Sequence, residues 1–112
     1  MSFASDIAEE LLPQVKIVVR ATDEVFDPEV QTLIASAVGD MLRCGVSREV
    51  FDVESEYYAE AVSAIHCYCK AHFGGDNPNE EMRYFGTSYR QHVCDLLNSA
   101  ANVAAVEADA VE

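Results

Sequence analysis

Seven apolar residues between about positions 30 and 42 lie on one helical stripe, bracketed by a start signal and a stop signal. Val30, Leu33, Ile34, Ala37, Val38, Met41 and Leu42 follow the spacing 0-3-4-7-8-11-12. On a helix this is one continuous face; on a strand the same residues would scatter over both sides. Asp27-Pro28-Glu29 stands just before it. Asp27 is suited to cap the free N–H groups, Pro28 to the first helical position, and Glu29 to the positive end of the helix dipole. Arg43 falls in the last turn, and Gly45-Val46 reads as a Schellman-type stop. A face this wide has to be covered by other apolar surfaces.

Three further segments supply them. Ile7, Leu11, Val15, Val18 and Val19 share one helix face, with Ile17 off it. Pro13 interrupts this stretch. Because proline lacks a donor, the spacing predicts a regular helix from near Leu12, with Pro13 in its first turn, to near Arg20. Residues 46–54 (VSREVFDVE) break the period and read as a loop or a short extended piece around Val50-Phe51. A third helix is predicted from about Ser55 to Phe73. Its apolar set is Tyr58, Val62, Ile65, Cys69 and Phe73, flanked by Ala61, Ala64, Tyr68 and Ala71, which suits a central position. Gly74-Gly75-Asp76 ends it. Asn77-Pro78 with Glu80 then starts a fourth helix in a capping-box-like pattern. Met82, Phe85, Tyr89, Val93 and Leu96 mark its inner face, and Gly86 lowers its stability by about 1 kcal/mol relative to alanine. No strand pattern of useful length competes. The fold class is all-α, a small four-helix bundle-like domain over residues 1–100. The remainder, 101–112, is small, acidic and free of aromatics, and reads as a flexible, disordered tail.

Charge narrows the function. Twenty acidic residues face seven basic ones, a formal net charge of −13. Phosphate backbones are drawn to basic patches, so unaided nucleic-acid binding is disfavoured. The longest run without a charged residue, Leu96–Val106, is far short of the roughly 20 apolar residues a spanning helix needs. Met1-Ser2-Phe3-Ala4-Ser5-Asp6 lacks the basic and apolar blocks of an export signal, so the four cysteines are expected to stay reduced.

Chemistry-bearing motifs are sparse. His66-Cys67-Tyr68-Cys69-Lys70-Ala71-His72 concentrates metal-type ligands on the third helix. His66, Cys69 and His72 are spaced by three, but His66 and His72 lie about 120° apart around the helix, and Cys67 and Cys69 point to nearly opposite sides. No second ligand pair closes a tetrahedral set. The cluster reads instead as buried cysteines and boundary histidines. Asp23, Glu24, Asp27 and Glu29 lack calcium-loop spacing. No nucleophile elbow, zinc-protease helix or phosphate loop is present. We assign no catalytic residue, no metal and no cofactor from the sequence.

The aromatic residues are more informative. Tyr57, Tyr68 and Tyr84 fall off the main apolar faces, and Phe51 stands in the 46–54 segment. These four are the candidate assembly-interface residues, since tyrosine is enriched where proteins meet. The same placement also suits tyrosines at a core boundary with wet hydroxyls.

Several blocks together resemble a known family: Leu11-Leu12-Pro13-Gln14-Val15-Lys16-Ile17 to Arg20, Leu33-Ile34 to Asp40, and Lys70-Ala71-His72-Phe73-Gly74 with Asp76-Asn77-Pro78. The chain is similar, over about residues 9–97, to the head–tail connector (adaptor, head-completion or DNA-packaging) proteins of long-tailed phages. The resemblance implies a small helical bundle without catalysis. It also implies a dodecameric homo-oligomeric ring beneath the portal protein, extending the DNA channel toward a stopper or tail-completion protein. DNA would pass through without specific binding, and no membrane is involved. The third-helix cysteines and acidic tail are departures from the pattern. On this reading the acidic tail and residues 1–6 order on assembly, and the tail or the 46–54 loop reaches the portal or a neighbouring subunit. The competing expectations are a small acidic helical binding or regulatory module that never enters a particle, and a zinc- or cysteine-dependent activity on the third helix.

Overall fold

Ser2 opens the first helix: its hydroxyl oxygen accepts from the backbone N–H of Ser5 at 3.1 Å, and Asp6 adds negative charge to the first turn. The structure, a computed structural model, describes residues 2–74 and 80–99. Helix α1 spans Phe3–Val18, so it begins nine residues before the expected Leu12, and Pro13 lies inside it. Residues 3–6, expected as part of a loose end, are helical. The reason is burial. Ile7, Ala8, Leu11 and Val15 form an unbroken buried stripe, while Pro13 itself is exposed. The hydrogen bond lost at a solvent-facing proline does not outweigh that stripe.

The end of α1 is a Schellman motif. The N–H of Ala21 donates to Lys16 O at 2.9 Å and that of Arg20 to Ile17 O at 3.1 Å. Arg20 takes the left-handed position with φ 60°, and Ala21 is buried behind it.

A 3-10 turn, Glu24–Phe26, follows, capped by Asp23, whose carboxylate accepts from the N–H of Val25 at 3.0 Å. Helix α2 spans Asp27–Cys44. Asp27 is therefore the first helical residue rather than the cap. Its carboxylate is 2.7 Å from Lys16 Nζ, which closes the α1–α2 corner with a half-buried ion pair. Val30, Ile34, Ala37, Val38 and Met41 are buried, and Leu33 and Leu42 flank them. The stop is as predicted: Gly45 has φ 105°, and the Val46 N–H reaches Met41 O at 3.0 Å.

Residues 48–51 are neither loop nor extended piece. Arg48–Phe51 is a 3-10 turn started by Ser47, and it drives Val50 and Phe51 into the core. Two adjacent apolar residues cannot both face inward on a strand, but a tight turn allows it. Helix α3 spans Tyr58–His72, starting after a turn in which Ser55 accepts from Tyr57 and Tyr58. Helix α4 spans Glu80–Leu97. The predicted Asn77-Pro78 start and the 101–112 tail lie outside the described residues.

α1 packs on α2, α2 on α3 and α3 on α4, and α3 also meets α1 and the second 3-10 turn. One core joins all four helices, with Leu11, Ile34, Met41, Ile65 and Leu96 fully buried at its centre. Among the described residues there is no strand.

Candidate assembly interface

The four aromatic residues singled out in the sequence do not share one surface environment. Phe51 is 5% exposed and stacks edge-on against Phe3 at 5.7 Å, with Arg48 over the Phe3 ring at 5.0 Å. It joins the second 3-10 turn to the start of α1. Tyr57 is half-buried against the core at the start of α3.

Tyr68 is half-buried on α3, 4.3 Å from the His72 ring and 5.1 Å from Tyr89 of α4. Tyr89 in turn donates its hydroxyl proton to Asp40 of α2 at 2.5 Å. Burial, then the hydrogen bond to Asp40, push the Tyr89 hydroxyl well above the ordinary tyrosine range. Burial and the nearby Asp40 charge raise Tyr68 as well. Both rings stay neutral at any physiological pH, so they act as packing and hydrogen-bonding groups.

Tyr84 is the candidate left open to solvent. It is 64% exposed on α4 and touches Phe85 edge-on at 5.3 Å. Lys70 of α3 lies over the other ring of that pair, 4.5 Å from the Phe85 centroid. An exposed tyrosine with one edge-on ring contact offers both an apolar body and a polar tip to a partner.

Sequence reasoning placed Ile17 off the apolar face but missed three further exposed apolar residues: Val25, Phe26 and Val53. Val25 leads the first 3-10 turn beside Phe26, whose ring meets Phe73 edge-on at 5.8 Å. The off-face position of Ile17 was legible; the exposure of Val25 and Val53 was not, because both lie in segments without a period. Between α1 and α2 runs an open groove of about 280 Å³, lined by Ser5, Ala8, Glu9, Gln31, Thr32 and Ala35. Its walls mix small side chains with the Glu9 carboxylate and the Gln31 amide.

The third-helix cluster is a packing feature. Cys69 is buried and its thiol is pushed up to about 12, so it stays protonated and unreactive. Cys67 is also raised by burial, partly opposed by Lys70. His66 is lowered by burial and by Lys70, and meets the Gln14 side-chain oxygen at 3.2 Å across α1 and α3. Metal-type donors converge elsewhere among the described residues, on Glu60, His92 and Asp95. No helix among the described residues is long and apolar enough to cross a membrane.

Comparison with known proteins places this arrangement. No curated protein and no solved structure matches the chain. A family model described as phage connector protein matches residues 11–103, from the third turn of α1 to beyond the end of α4. That span takes in the whole core apart from the first turns of α1, and with it the chain belongs to the phage connector family, the head–tail connectors of bacteriophages.

Proposed function

We propose that the protein is the neck adaptor of a tailed phage particle: a ring of copies, dodecameric on the family resemblance, seated on the portal. The ring extends the DNA channel and offers its far side to a stopper or tail-completion protein. The family match over residues 11–103 carries this reading. Charge supports it. With a net −13 per chain, a ring of copies lines or surrounds a passage that repels DNA, so the genome slides without sticking. A ring requires two different faces on each subunit, because a head-to-tail contact is heterologous. The exposed Tyr84 on α4 and the exposed Val25 before α2 are candidate contact residues for such a ring.

The test is the purified particle. Electron cryomicroscopy of intact virions is expected to show the four-helix unit repeated around the neck, between portal and tail. A particle that lacks the chain altogether overturns the reading and leaves the regulatory module. Deleting residues 101–112 tests docking: undiminished adaptor on purified heads eliminates the tail as a portal or neighbour contact.

A further inference from the structure

We propose that Glu60, His92 and Asp95 form a site for a divalent first-row transition-metal ion, with zinc the natural occupant, that clamps α3 to α4. The donors come from both helices. Glu60 is in the first turn of α3, and His92 and Asp95 are in the last turns of α4. His92 and Asp95 are three residues apart and so share one helix face. One donor atom from each of the three lies within 4.8 Å of the others. His92 Nδ1 is already 2.7 Å from Glu60 Oε2. Metal–ligand bonds of about 2.0–2.2 Å are reached from this spacing by small side-chain rotations, and Asp95 is exposed enough to make them.

The local environment favours a cation. Asp95 places a negative charge at the C-terminal end of α4, where the helix dipole is also negative, and the last turn of α4 carries no basic residue. With His92 neutral, the three groups hold two negative charges. Gln91 Nε2 donates to Asp95 Oδ1 at 3.1 Å, the type of outer contact that orients a ligating carboxylate. One imidazole nitrogen with two carboxylates suits a divalent first-row transition metal, zinc among them. Magnesium and calcium prefer six or more oxygens. Three protein donors leave a fourth position for water.

The experiment is titration of the full-length, tag-free chain with Zn²⁺ and with Co²⁺. It is done in a Cys44→Ser/Cys94→Ser background, because those two thiols are exposed. Calorimetry should give one saturable Zn²⁺ per chain, and Co²⁺ should develop visible d–d absorption. Asp95→Asn, at an exposed position that leaves the His92–Glu60 contact intact, is expected to weaken binding by at least about tenfold, and His92→Gln by more. His66→Ala should leave it unchanged. Circular dichroism checks that each variant is folded. Absence of saturable binding overturns the proposal, as does affinity unchanged in folded Asp95→Asn and His92→Gln, or affinity lost in His66→Ala.

Discussion

The Tyr89 hydroxyl on α4 donates to Asp40 on α2 at 2.5 Å, bridging two helices that are not neighbours in the chain. Asp40 also faces Arg43 at 3.6 Å, so its carboxylate lies between a cation and a donor. Tyr68 closes the other side of the Tyr89 ring. Removing only the hydroxyl, with Tyr89→Phe, keeps the packing and loses a hydrogen bond to a charged acceptor. The expected cost is about 1–2 kcal/mol, read from denaturant unfolding. The same bond predicts an alkaline limb. Above about pH 10 the unfolded chain releases the Tyr89 proton while the native state keeps it, so native stability falls as pH rises. That fall should be shallower in Tyr89→Phe. An identical alkaline slope in both proteins would show that Tyr89 does not couple to folding.

Two helix positions respond to glycine in opposite ways. Arg20 occupies the left-handed slot of the α1 Schellman motif that Gly45 fills at the end of α2. A side chain there costs about 1 kcal/mol, so Arg20→Gly is expected to stabilise by roughly that amount. Gly86 is within α4, and a Cβ built on it meets nothing within 4 Å. Gly86→Ala should therefore also stabilise by about 1 kcal/mol. Thermal melts of the two single variants and of the double variant check both, and the distant sites should add.

The helix from Asp27 to Gly45 was legible because period, start and stop all agreed within one segment. α1 was legible only in its inner face. Proline is a local signal, and the burial of Ile7, Ala8 and Leu11, which decides the matter, depends on α2 and α3 being there. The end near Arg20 was legible from the period running out, whereas the left-handed turn that makes it carries no glycine and left no mark. The turn at 48–51 is too short for any period, and its Val50 and Phe51 are set by the hole they fill. Among the four aromatic candidates, Tyr84 stood off the Met82-Phe85-Tyr89-Val93-Leu96 face, and its exposure follows from that. The convergence of Glu60 with His92 and Asp95 was invisible, because their sequence separation leaves no spacing to read. The family resemblance reached further than the spacing did, although several residues that carry it, Leu11, Val15 and Ile34, are buried in this chain's own core.

The four cysteines should react in an order set by burial. Cys44 and Cys94 are exposed, Cys67 is half-buried with a raised thiol, and Cys69 is buried with its thiol near 12. The thiolate is the reacting species, so neutral-pH alkylation should modify Cys44 and Cys94 first, Cys67 slowly, and Cys69 only on unfolding. Mass spectrometry of timed iodoacetamide reactions gives the order. Early labelling of Cys69 in folded protein contradicts the packing of α3 described above.

His66 sets an acid limit. Burial and Lys70 hold its imidazole below the usual range. As pH falls through about 6.5, the unfolded chain takes up this proton before the native state does. Stability contributed by the neutral ring is therefore present at neutral pH and is lost toward lower pH. His66→Gln keeps a polar partner for Gln14 and removes the titration. Its melting temperature should drop less than that of the parent between pH 7.5 and 5.5. Equal drops would assign the acid limit to the carboxylates instead.

Tyr84 and Phe51 separate assembly from folding. Tyr84 is 64% exposed, so Tyr84→Ala removes little buried area and should change stability by less than about 0.5 kcal/mol. If Tyr84 anchors a neighbouring subunit or the portal, the same change lowers the amount of adaptor on purified heads while the free protein melts as before. Phe51 lies in the core against Phe3, and Phe51→Ala is expected to cost about 3–5 kcal/mol. Any loss of adaptor from heads in that variant should track the loss of folded protein, measured by circular dichroism on the same preparation. Normal head occupancy with Tyr84→Ala removes Tyr84 from the interface. Poor occupancy with a well-folded Phe51→Ala would instead mean that Phe51 leaves the core when the subunit docks, and that the second 3-10 turn rearranges on assembly.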